Sequence, residues 1–161
     1  MMSRIRSKIA IAALAVALGL TGCATTFPAD PEGTLDRVSG GTLRVGISPN
    51  GEWTQMTDDG EASGIEVDLV EEFAGSIDAD IAWVEGSEER LMTQLEEGSL
   101  DLVIGGLTDQ SPWSDRSAIT KPFTEVTTST GLEKHVMAAP MGENAFLLEL
   151  ERFLLNTEGA P

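Results

Sequence analysis

The sequence predicts an α/β domain on a parallel sheet of strand order 2-1-3, and three observations carry that prediction. Along residues 42–104 the apolar period switches between 2 and 3.6 in the order β-α-β-α-β. The third strand, Leu100, Leu102, Val103 and Ile104, is almost continuously apolar, as suits a strand covered on both faces. It ends at Gly105 and Gly106, followed by hydroxyls, an indole and a guanidinium, which is how an open α/β sheet builds a ligand crevice.

Leu43, Val45 and Ile47 alternate with Arg44 and Gly46 in the first strand, which stops at Ser48-Pro49-Asn50-Gly51. A long loop runs to Gly64. From Asp68 the stripe Val70, Phe73, Ala74 and Ile77 marks the first helix. Ile81 to Val84 form the second strand, with Trp83 a core residue. Ser87 is placed as the N-cap of the second helix, Glu88 and Glu89 suit its positive dipole end, Leu91, Met92 and Leu95 are its apolar side, and Gly98 stops it. Right-handed crossovers give the order 2-1-3, so the loops after strands one and three, 48–64 and 105–116, flank the switch point. A short antiparallel strand over His135 to Ala139 and a last helix with the stripe Phe146, Leu147, Leu150, Phe153 and Leu154 complete three layers.

The N-terminus reads differently. Arg4, Arg6 and Lys8 precede an apolar run from Ile9 to Leu20, whose 12 residues are too few to span a bilayer. This is a secretory leader over residues 1–22. Its end, Leu20-Thr21-Gly22-Cys23, resembles the lipobox of bacterial lipoproteins, which implies lipidation of Cys23, the only cysteine in the chain. The expected location is the extracytoplasmic membrane face. Residues 23–41, with Pro28, Pro31, Gly33, Gly40 and Gly41, read as a flexible tether, residues 42–156 as the domain, and 157–161 as a disordered tail. Three of the ten Lys and Arg lie in the leader, leaving seven against 27 acids from Cys23 onward, a net charge of −20. Such a surface repels nucleic acid and anionic headgroups. The acids read as solvated faces and turns, and no metal set or cofactor box is apparent.

The pieces Leu43 to Ile47, Gly64-Ile65-Glu66-Val67-Asp68-Leu69, Leu95 to Thr108, Pro122-Phe123, and His135 to Pro140 followed by Gly142 to Phe146 resemble the extracellular solute-binding proteins of family 3, the polar amino acid receptors of ABC importers. The resemblance implies a type II periplasmic-binding-protein-like lobe, no enzymatic activity, no cofactor, and a small polar solute such as an amino acid as ligand. It also implies an ABC permease as partner. Family members carry a second lobe between Pro122-Phe123 and Val136, where this chain has only the 12 residues Thr124 to His135. The chain therefore reads as lobe one alone with a short bridge. Either a solute binds the exposed half-site, or the bared face takes a protein partner or a second copy.

The family's ligand serine falls on Thr108, and its carboxylate-pairing arginine falls on Trp113. Arg116 lies three residues on, where one helical turn would aim it at the crevice, or it forms a surface ion pair. Thr108 offers a hydroxyl and an N–H, with Gly105 and Gly106 permitting close approach, or it caps a turn. Trp53 and Trp113, one in each switch-point loop, either wall a solute or pack on the sheet. His135 is expected to be a satisfied structural histidine. The expected ligand set is Trp53, Gly106, Thr108, Trp113 and Arg116.

Overall fold

The computed structural model describes residues 28–129 and 131–157. Residues 1–27, which hold the expected leader and Cys23, and the last four residues lie outside them. Helix α1 (Thr34–Val38) leads into strand β1 (Thr42–Ile47). A small hairpin, β2 (Gln55–Met56) and β3 (Ala62–Ser63), interrupts the following loop. Then come α2 (Ile65–Ser76), β4 (Asp80–Glu85), α3 (Glu88–Glu96) and β5 (Leu102–Ile104). A 3-10 turn (Pro112–Asp115), β6 (Ala118–Ile119), the hairpin β7 (Thr124–Thr128) and β8 (Gly131–His135), β9 (Ala138–Ala139) and α4 (Asn144–Asn156) complete the chain.

The main sheet has the order β4-β1-β5-β9-β6. β1 lies parallel to β4 and to β5, which is the expected 2-1-3 arrangement. β9 then pairs antiparallel with β5 at Val103 and Ala138, and β6 closes the edge antiparallel to β9. Alternation along the central strands sorts side chains to two cores. Leu43, Val45, Ile47, Leu102 and Ile104 face α2 and α4 in one cluster with Phe73, Phe146 and Leu150. Val103 faces the other way, joining Leu91, Met92 and Leu95 of α3 with Leu100, Val136 and Ala138. Gly46 makes the second layer close: a Cβ there would lie 2.7 Å from Leu100 Cδ1 and 3.1 Å from Leu91 Cδ2. Trp83, expected in the core, is half-buried because β4 is an edge strand.

Three expectations are corrected. The tether expected through Gly41 instead holds α1, with Thr34 and Val38 buried. Carboxylates fasten it: Asp30 Oδ2 accepts the Leu35 N–H at 2.9 Å, while Glu143, at the start of α4, accepts the N–H groups of Glu32 at 2.9 Å and Thr34 at 3.0 Å. The Thr34 and Leu35 N–H groups are orphan donors of a helix start; Asp30 satisfies one locally and Glu143 the other from 109 residues away in sequence, and proline and glycine content gives no sign of it. The bridge expected at Thr124 to His135 is an antiparallel hairpin, with Thr124 opposite His135. The short strand expected over His135 to Ala139 is divided, since His135 ends β8 and only Ala138–Ala139 enters the main sheet.

Candidate functional site

Glu66 begins the site. Its position extends the stripe of Val70, Phe73 and Ala74 back by one turn, so α2 points it at the sheet and leaves it with no exposed surface. Its Oε2 accepts the N–H groups of both Gly105 and Gly106 at 2.8 Å, and its Oε1 is buried without a partner among the described residues. Burial pushes its pKa up to about 7, against the two N–H bonds, which lower it. The carboxyl thus holds the turn that ends β5.

The loop after β1 is fastened to the same place. Asn50 donates from Nδ2 to the Gly105 carbonyl at 2.8 Å, and buried Thr54 donates its hydroxyl to the Ser48 carbonyl at 2.6 Å. The first N–H groups of α2, on Ile65 and Glu66, donate to the carbonyls of Glu52 and Trp53, both at 3.1 Å. Trp53 is therefore fixed by its backbone, and its indole lies on the His135 imidazole, centroids 3.6 Å apart and planes 21° from parallel. Gly106 has φ 66°, and a Cβ there would lie 2.4 Å from Asn50 Nδ2 and 3.2 Å from Trp53 Cδ1. The glycine requirement is thus set by the protein's own loop rather than by room for a ligand.

Thr108 forms a bridge with His135. The hydrogen bonds of that bridge are made by its neighbours, Asp109 N–H to the Lys134 carbonyl and Val136 N–H to the Leu107 carbonyl, both 2.9 Å. In such a pair the residue's own N–H points away from the opposing strand. Thr108 is half-buried, and neither that N–H nor its hydroxyl donates to another group among the described residues. His135 is 2% exposed, its Nδ1 has no partner among the described residues, and burial lowers its pKa against the opposing charge of Glu133. It is structural, as expected, but not satisfied.

The other two expected residues go elsewhere. Trp113 turns to α3, donating its indole N–H to Glu88 and packing on the α3 core, whereas Trp53 packs on the opposite core. The two indoles therefore do not wall one crevice. Arg116 does stand on the same side of its turn as Trp113, its guanidinium 5.8 Å from the indole centroid, but that side faces α3. Its Nε donates to Glu96 at 3.1 Å. Together with Arg37, Arg44 and Asp101 it lines a cavity of about 600 Å³ at the far end of the sheet, where β1 and β5 begin. Of the two readings of Arg116, the structure shows the exposed ion pair, made with Glu96.

The switch point consequently gathers Asn50, Trp53, Glu66, Gly106, Thr108 and His135. Sequence reasoning missed three of them. Glu66 carried a signal, an acid in line with an apolar stripe; Asn50 was read as turn punctuation, and His135 is brought in by the hairpin pairing.

A family model described as bacterial extracellular solute-binding proteins, family 3, matches residues 43–155, well over half the chain. The chain belongs to that family. A probable histidine-binding protein of Campylobacter jejuni is 29% identical over 82 residues, which are 51% of this chain and 32% of that protein, so the match spans about a third of the relative. Among solved structures, a point variant of the arginine-bound form of domain 1 from TmArgBP superposes with a TM-score of 0.66 at 22% identity, covering 74% of this chain and 95% of that one. An ancestral cationic amino acid solute binding protein superposes at 0.64 with 14% identity, covering 75% and 92%. These two likenesses establish the fold.

Proposed function

We propose that this chain is a single-lobe, lipid-anchored receptor that holds an amino acid at the switch point and serves an ABC importer at the extracytoplasmic membrane face. The observation that carries this reading is Thr108, whose N–H and hydroxyl lie free of the ladder beside Trp53 and Gly106. A carboxylate would accept both donors, and the Trp53 face would cover an aliphatic or planar side chain once it parted from His135. Family membership supports the solute class. That an isolated first domain of TmArgBP is described as arginine-bound supports a half-site holding ligand, and the histidine- and arginine-binding relatives make basic amino acids the first to try. Half the contacts of a two-lobed receptor predict weak binding. The role is binding rather than catalysis. Cys23 supplies the lipid anchor in this reading.

Calorimetry with L-arginine, L-histidine and L-lysine tests it. Binding to the wild-type chain that is lost in Thr108→Val and weakened in Trp53→Ala supports the reading; no heat with any of the three at millimolar concentration overturns it.

A second reading rests on the hairpin. β7 and β8 pair with each other in a separate two-stranded sheet, and Leu132 is 55% exposed on it. An uncovered ribbon suits a second copy or a partner protein. Light scattering on the purified chain decides it: a dimer dispersed by Leu132→Glu favours this reading, and a monomer at all concentrations removes the homodimer.

A further inference from the structure

Glu66 is a buried carboxyl at the switch point that the proposed function leaves unused. It stands behind the turn whose front carries Thr108. Gly106 N–H touches its Oε2 at 2.8 Å, and Thr108 is two residues further on, within about 7 Å along an extended chain. A solute carboxylate on the Thr108 N–H would therefore face a second carboxyl across a single turn, in a region from which Glu66 is wholly removed from water. Glu66 is fully buried while Thr108 is half-buried, so the repulsion between two such carboxylates falls chiefly on Glu66, and a proton on it relieves the cost. Glu66 Oε1, buried and without a partner among the described residues, is the atom left to take that proton.

We propose that Glu66 is the positioning residue of the solute site and is its proton acceptor: it fixes the Gly105–Gly106 turn through Oε2 and gains a proton at Oε1 when a carboxylate-bearing solute binds at Thr108. The inference rests on the proposed function. Proton uptake and solute binding are then reciprocal, so affinity for an amino acid falls as the pH rises through the range in which Glu66 ionises. The groups facing Glu66 from the elements around it are few. Among the described residues the turn presents the Gly105 and Gly106 N–H groups to the carboxyl, the Trp53 carbonyl takes the Glu66 backbone N–H, and His135 is stacked on the Trp53 indole. Glu52 on that loop and Asp68 on α2 are exposed. Only burial and the two N–H bonds move Glu66 from its ordinary range, so no ion pair masks its titration.

Two measurements on the full chain in mild detergent test this. Calorimetry of L-arginine near pH 7 in two buffers of different ionisation enthalpy should report uptake of a fraction of a proton by the wild type, and none by Glu66→Gln. The decarboxylated analogue of arginine should give no uptake with the wild type. Equal uptake by wild type and Glu66→Gln, or arginine binding to the wild type with no proton uptake, overturns the inference. Independently of any ligand or variant, the Gly105 and Gly106 amide resonances of the wild type should shift together with a midpoint of about 7. Resonances that stay flat from about pH 5 to about pH 8.5 overturn it. A chain that binds no amino acid while its glycine amides titrate as described refutes the proposed function and upholds the hold of Glu66 on the turn.

Discussion

Glu66 and Asp101 are both carboxylates with no exposed surface, placed at opposite ends of one sheet, and the protein treats them in opposite ways. Asp101 precedes β5 and meets two guanidiniums: Arg44 donates from Nη2 to Oδ1 and Arg37 does the same, each at 2.6 Å, and the Arg44 N–H adds a bond at 2.9 Å. Burial alone would push Asp101 up, but the bonds from Arg44 and Arg37 outweigh it and hold it below the usual carboxylate range. Glu66 follows the other path, since only two backbone N–H groups face it and burial prevails. One end of the sheet is thus a closed structural clamp joining α1, β1 and β5. The other is a polar site with unspent capacity: a free carboxyl oxygen, an unpartnered imidazole nitrogen, and a threonine N–H outside the ladder. In the proposed function this spare hydrogen-bonding capacity at a topological switch point belongs to the solute end.

The comparison can be broken most strongly at Asp101. Asp101→Asn leaves Arg37 and Arg44 without their counter-ion and should cost about 3 kcal/mol in urea unfolding, the low end for a buried pair because both guanidiniums reach solvent. Thr108→Val leaves that clamp intact and should unfold within about 0.5 kcal/mol of wild type.

The two carboxylates also separate by pH. Glu66 is raised in the folded state, so its stabilising contribution is complete below pH 4.5 and is lost as the pH rises through about 7. Up to about 3 kcal/mol of stability goes with it, at about 1.4 kcal/mol per unit. Asp101 is lowered, so its contribution is present above its ordinary range and is lost as acid brings the pH down through its folded value. Denaturation curves recorded across this range should show Glu66→Gln losing the neutral-pH slope while keeping the acid one.

Gly106→Ala forces a Cβ into the Asn50 amide at a left-handed φ and should destabilise by about 1–2 kcal/mol, with loss of solute binding. The smallest effect belongs to Arg116→Ala. Its ion pair with Glu96 is exposed on both sides, so stability should change by no more than about 0.5 kcal/mol and solute affinity not at all.

Periodicity made the sheet order legible, because Val45, Ile47, Val103 and Ile104 must each find a covered face and right-handed crossovers leave few alternatives. The switch-point loops were legible for the same reason. What lies on them was legible only where a side chain's role is local, as for Gly106 at the turn and Trp53 beside it. Arg116 was misplaced because a spacing of three residues says which side of a turn a residue occupies but not what that side faces; here it faces α3. The docking of α1 escaped notice because its caps, Asp30 and Glu143, are two ordinary acids in a chain full of them, joined only by the fold. His135 could not be assigned to the site from sequence, since the β7–β8 register brings it there.

The central claim is that the solute end of the sheet is the Thr108 and Trp53 end. Backbone amide mapping of the ¹⁵N-labelled chain titrated with L-arginine tests it most directly. The account predicts shifts centred on Thr108, Gly106 and the Trp53 indole, with the Arg44 and Asp101 resonances still; shifts centred on Arg37, Arg44 and Arg116 instead, or no shifts at millimolar arginine, would contradict it.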